Sequence, residues 1–125
     1  MSVTRPKRAS YSEATRAWAD SFGTCWRCGF RGLWQVSLWI HHFVSGSSRQ
    51  KDNLYTTAIT CARCHEDEHC GKGIGLLGWL ALKRRRDPEW YSLAEVCKAK
   101  GWAETAITEE EVEDEIDEAD SGLNG

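Results

Sequence analysis

Two Cys-x2-Cys pairs, Cys25 with Cys28 and Cys61 with Cys64, flank the 32 residues 29–60 of a 125-residue chain. Each pair chelates from one tight turn, so an ion shared by both forces the intervening chain to leave one point and return to it. The spacing is that of a structural zinc site, in which four thiolates fill a tetrahedron and leave no open position for chemistry. Such a pocket does not exist in the unfolded chain, so zinc binding would contribute directly to folding. A single domain of this length buries a modest core and gains from a metal staple. Cys70 and Cys97 fall outside the pairs and read as free thiols.

The formal net charge of −3 conceals a division of the chain. Ten acidic residues and no Lys or Arg lie beyond residue 103; the remaining nine acids face all 16 basic residues, so residues 1–103 carry a formal +7. A basic body suggests a polyanionic partner, most simply DNA, whose phosphates Lys and Arg neutralise with release of counterions. The acidic stretch 104–125 reads by composition as a disordered tail. Ile107, Val112 and Ile116 can instead line one face of a short acidic helix that folds back on the basic body. No apolar run approaches the roughly 20 residues that span a bilayer. Arg5, Lys7 and Arg8 are not followed by the apolar stretch of a signal peptide. A cytoplasmic, intracellular protein is expected, and in that reducing setting Cys-x2-Cys pairs favour metal over disulfide.

The pattern along the chain predicts an α+β fold. Residues 1–9 are a basic, mobile N-terminus, and Ser10-x-x-Glu13 reads as a capping box opening a helix to about Phe22. Leu33 to Phe43 alternates, with Trp34, Val36, Leu38 and Ile40 on one strand face and Trp39 on the other. Residues 45–53 form a polar loop and Leu54 to Thr60 a second strand. A helix after Cys61 puts His65 and His69 at i, i+4, about 5–6 Å apart at Cβ. Ile74 to Arg86 predicts a further helix with Leu76, Leu77, Trp79 and Leu80 inward, stopped by Asp87-Pro88. Ser92-x-x-Glu95 caps a last short one. The domain is therefore placed at 10–103, with its core at 25–70.

All four histidines, His41, His42, His65 and His69, fall within 29 residues, inside the segment organised by the cysteines. A histidine pair ending one strand and a His-x3-His on the next helix can converge on one point. Three imidazoles then hold a divalent ion, and the fourth serves as a general base, since an ordinary histidine is partly neutral near pH 7.

The order Cys-x2-Cys, strand, His41-His42, loop, strand, Cys-x2-Cys-His65-x3-His69 resembles the zinc-containing branch of the HNH endonucleases, whose core is the ββα-metal fold shared with the nuclease colicins. The likeness covers residues 25–69, and Lys83-Arg84-Arg85-Arg86-Asp87-Pro88-Glu89-Trp90-Tyr91 is similar to the tail of small phage-type HNH proteins. The resemblance implies that His41, His65 and His69 hold a catalytic Mg2+, Mn2+, Ni2+ or Zn2+ and that His42 deprotonates the attacking water. The substrate it implies is DNA, with a larger DNA-processing protein as a conceivable partner. The family's asparagine stands nine residues before the histidine of the Cys-His pair, which is Thr56 here, whereas Asn53 stands twelve before. Either one fills that place.

Arg49 and Lys51, in the loop after the histidine pair, are placed to meet a nucleic-acid backbone near the scissile bond. Lys83, Arg84, Arg85 and Arg86 can contact phosphates too, or simply complement a helix C-terminus. Seven tryptophans suit core packing or base stacking. The rival to a nuclease is a non-catalytic zinc-ribbon module that binds nucleic acid or protein, or an HNH relative whose active site has decayed. Such a module has no need of His41-His42 beside His65-x3-His69.

Overall fold

Ser12 starts the first helix, because its side chain accepts the Thr15 amide and so satisfies a donor that the first turn leaves orphaned. The computed structural model describes residues 11–44 and 51–115. In it α1 spans Glu13–Asp20. Ser10, the expected cap, lies outside the described residues, as does the mobile N-terminus inferred for 1–9. The Ser12 amide also donates to Asp52 Oδ1 at 2.8 Å, tying the head of α1 to the segment that precedes the second strand.

Strand β1, Leu38–His42, pairs antiparallel with β2, Thr57–Cys61, with Leu38 opposite Cys61 and His42 opposite Thr57. The first strand is shorter than its alternation predicts. Residues 33–37 form a turn in which the Leu33 carbonyl accepts the amides of Val36, Ser37 and Leu38. Gln35 at φ 72° is incompatible with an extended run. Leu33 and Val36 are 68% and 71% exposed, so the alternation there marks no buried face. The second strand also starts late. Leu54–Thr56 is a 3-10 turn capped by Asn53, whose side-chain oxygen accepts the Tyr55 amide.

Helix α2, Ala62–His69, leaves directly from β2. Helix α3, Gly75–Arg86, is the wall shared by two cores. Trp79 and Leu82 pack with Trp18, Trp26, Leu38 and Ile59 on one side; Leu80 and Ala81 pack with Val44, Val96, Ile107 and Val112 on the other. Leu76 and Leu77, expected inward, are only half-buried. Helix α4, Leu93–Lys100, is capped by Ser92 accepting the Glu95 amide, as its motif predicts, and is closed by Gly101 in the left-handed conformation that favours glycine.

Part of the acidic tail is folded. Ile107 and Val112 are buried, and the chain is helical from 109 to 115. Thr108 and Glu111 form a reciprocal capping box there, the Thr108 hydroxyl taking the Glu111 amide and the Glu111 carboxylate taking the Thr108 amide. Arg84 meets Glu109 at 3.7 Å and Glu113 at 3.3 Å. Two buried apolar side chains outweigh the composition that argues for disorder, because each full burial contributes about 1.5–3 kcal/mol. Ile116 and the rest of the tail lie outside the described residues. Among those residues no helix is long and apolar enough to cross a membrane.

Candidate metal centres and the adjoining cleft

The four cysteines are gathered by backbone hydrogen bonds. Gly29, at φ 80°, donates its amide to the Cys25 carbonyl, and the Cys25 amide donates to the Phe30 carbonyl, closing the first turn. The Trp26 amide donates to the Ile59 carbonyl, which fastens that turn to β2. Cys61 ends β2 and Cys64 lies in the first turn of α2, so the second pair straddles a strand-to-helix junction. Arg27 reinforces the approach through Asp67 at 3.0 Å.

The ligand atoms of Cys25, Cys28, Cys61 and Cys64 all lie within 4.8 Å of one another. Zn–S bonds of about 2.3 Å at tetrahedral angles put sulfurs roughly 3.8 Å apart; Cys28 and Cys61 stand at 3.7 Å. The cluster is therefore compatible with a tetrahedral zinc. Burial pushes the Cys25 and Cys64 thiols up. Cys28 moves the other way: its partial burial opposes ionisation, but the Phe30 backbone and the neighbouring thiols outweigh that. Thiolates crowded in so small and shielded a volume need a cation to offset their mutual repulsion.

The histidines form a row. His41, at the end of β1 and 6% exposed, brings Nδ1 within 3.1 Å of His65 Nδ1. His65 Nε2 in turn lies 3.1 Å from His69 Nε2. His65 thus meets its two partners with opposite nitrogens, and the three rings are strung in sequence rather than cupped around one point. The 3.1 Å separation of His41 and His65 is that of a ring N–H···N hydrogen bond, and it also lies in the roughly 3.0–3.4 Å range of two nitrogens on one metal. Among the described residues only the four cysteines bring three or more possible metal ligands together. His69 meets His65 on its far side. Burial, then the nearness of His65, pulls His41 down to about 3, so its ring is neutral with a lone pair to offer. His65 is lowered by the same burial and by His69.

His42 stands apart from the row. Its Nε2 lies 3.1 Å from the Lys51 carbonyl. A carbonyl only accepts, so Nε2 carries the hydrogen and Nδ1 of the neutral ring keeps its lone pair. Tyr11 stacks on His42 at 6.2 Å. Asn53 and Thr56 are joined in one turn: Asn53 caps the 3-10 turn, while the Thr56 amide and hydroxyl donate to the Asn53 carbonyl. The Thr56 carbonyl receives the Phe43 amide, just past the histidine pair. Together they hold the return of the loop that begins after His42.

The expected phosphate-binding cations divide. Lys83 is a correction: it is fully buried, donating to Asp87 at 2.9 Å and to the Thr57 carbonyl at 2.8 Å, and it cannot reach a ligand. Its ammonium also lies over the Trp18 and Trp26 rings, and burial, only partly opposed by Asp87, pulls it down to about 8. Trp18 Nε1 donates to the same Asp87 oxygen. Four elements meet at this one pair, which no surface reading of a Lys-Arg-Arg-Arg run would disclose. Arg84 is engaged by the acidic segment, and Lys51 meets Asp52 at 3.5 Å. Arg85 and Arg86 are exposed at the end of α3, and Arg49 lies outside the described residues.

A cleft of about 710 Å3 opens beside His65 and His69, walled by Tyr11, Trp34 and Trp39. Trp34 and Trp39, expected on opposite strand faces, line the same space because Trp34 sits in the turn. Nothing in the local pattern flags Tyr11, which arrives through the Ser12–Asp52 tether. Compared with known proteins, the chain matches no family model, no curated protein and no solved structure.

Proposed function

We propose that the chain is a metal-dependent DNA endonuclease of the HNH type, with a structural zinc at the four cysteines and a ββα-metal core formed by β1, β2 and α2. The observation that carries the reading is the 3.1 Å approach of His41 Nδ1 to His65 Nδ1, with His42 next in the chain and its Nε2 on the Lys51 carbonyl. A structural zinc ribbon has no use for that arrangement.

In this reading His41 and His65 hold the divalent cation, and His69, which lies at the opposite nitrogen of His65, joins it only if its ring turns toward His41. The cation, when bound, supplies positive charge to the phosphate and to the departing oxygen. His42 takes the proton from the attacking water at Nδ1, while the Lys51 carbonyl orients the ring and steadies the imidazolium that results. Asn53 and Thr56 brace the turn that follows Lys51, between the loop and β2. General-base removal typically costs about 10^2–10^4-fold. Incubating supercoiled plasmid with the protein and a series of divalent ions, beside a His42→Ala variant, tests this. Relaxed or linear DNA should appear with wild type alone; cutting by neither, or equally by both, rejects the nuclease.

A further inference from the structure

The cleft beside the histidine row is chemically unlike a phosphate trough. Among the described residues that line it there is no Lys or Arg, and Glu66 contributes a negative charge. Its walls are aromatic: Tyr11 and Trp34 meet edge to face at 6.1 Å, and Trp39 is likewise half-buried. Tyr11 already gives one ring face to His42, so Trp34 and Trp39, each half-buried, are the rings left to stack on a ligand. The volume suits one flat, uncharged group with its attached sugar, since small-molecule sites run from about 300 to 1,000 Å3.

Gln35 supplies a second, independent sign. It is the one non-glycine residue with positive φ among those described, at 72°, and it lines the cleft. For an L-residue that conformation is strained, because Cβ crowds the following carbonyl. The turn enforces it, the Gln35 amide donating to the Leu38 carbonyl at 2.9 Å. Glycine would adopt it without strain, so the chain keeps here a side-chain amide that offers both a donor and an acceptor. That is the equipment for reading the edge of a base.

We infer that the cleft receives one unpaired nucleobase of single-stranded DNA, stacked against Trp34 and Trp39 and read at its edge by Gln35. The cut at the neighbouring phosphate rests on the nuclease proposal; the base site rests on the cleft alone. A base in an intact duplex must first be unpaired, unstacked and flipped out, so single-stranded or unpaired regions bind better than duplex.

The test uses the full-length, zinc-loaded protein with no divalent ion added, so that binding is read without cleavage. Fluorescence anisotropy is measured with a labelled single strand, the same strand in duplex, and the same strand carrying one abasic position moved along its length. The single strand should bind more tightly than the duplex. One abasic placement should weaken it about 5- to 150-fold, the equivalent of roughly 1–3 kcal/mol for one stacked base. Trp34→Ala should lose the same factor on the intact strand and show no further loss on the abasic one. Gln35→Gly should melt no lower than wild type yet bind strands differing at that one base equally. Equal binding of single strand and duplex, or an abasic scan without effect, overturns the inference. If plasmid is never cut while the abasic effect persists, the base site stands and the nuclease falls.

Discussion

The ligand atoms of Cys25, Cys28, Cys61 and Cys64 all lie within 4.8 Å of one another, whereas His41, His65 and His69 touch only pairwise and with mixed nitrogens. The two sets are interleaved along the same stretch of chain, yet one is closed and the other open. The cysteines sit in turns whose amides are tied to each other and to β2, and three of the four are buried. The histidines come from the end of a strand and an increasingly exposed helix face, and they border a cleft. A closed tetrathiolate would contribute folding energy; under the proposed function the open imidazole row is where a second ion and a substrate would meet.

The contrast between a closed and an open set of ligands can be tested by removing members of each. The largest effect should come from the cysteines. Apparent zinc affinities in small zinc domains amount to about 10–16 kcal/mol, comparable with or larger than the whole stability of a domain. A strong chelator, or Cys64→Ala, should therefore abolish the cooperative melt and much of the far-ultraviolet helical signal. A variant that still melts like the parent would remove zinc from the account. His65→Ala should leave the melt nearly in place but weaken divalent-ion binding, read by calorimetry, by at least ~10-fold. If it unfolds the protein instead, the histidine row is structural and the contrast disappears.

Lys83→Met should lie between these on the stability scale. Removing one partner of a buried pair leaves the other charge uncompensated, at a cost of about 3 kcal/mol in urea unfolding. The Lys83→Met/Asp87→Leu double variant should recover much of it. A distinctive pH signature accompanies this. The folded-state value of Lys83, about 8, lies below its ordinary 10.5. Between those values the unfolded chain binds more protons, so stability rises with pH across that window. The advantage of wild type over Lys83→Met should grow from pH 8 to 10; a shrinking gap would mean that Lys83 is not held in the interior as described. Smallest of all, Arg84→Ala should change stability by less than about 1 kcal/mol, since its pairs with Glu109 and Glu113 are solvent-screened.

Local chemistry made much of the fold legible. Ser92 and Glu95 announced α4, Asp87-Pro88 stopped α3 at Arg86, and the cysteine pairs marked the two turns that meet. Each of these signals acts over three or four residues, within reach of a single hydrogen bond or turn. The readings that changed depended on partners far along the chain. Alternation from Leu33 looked like strand because apolar spacing does not record whether a neighbour is present to cover it. Trp34 and Trp39 came to share one cleft because the chain turns at Gln35. The acidic segment folded because Val44, Leu80 and Val96 offer Ile107 and Val112 a place to bury.

The cysteine turns, the order of strand, loop, strand and helix, and the i, i+4 placement of His65 and His69 were all readable in the chain before any packing was known. These follow from spacing and local hydrogen bonding. Which cation is inside, how far the histidines converge, and that three aromatic rings wall one cleft beside them depend on packing between distant segments. Lys83 and Arg84 are neighbours of like charge in the sequence, and one is buried against Asp87 while the other meets the acidic segment. Burial belongs to the surroundings of a residue, and those surroundings exist only once distant segments have packed.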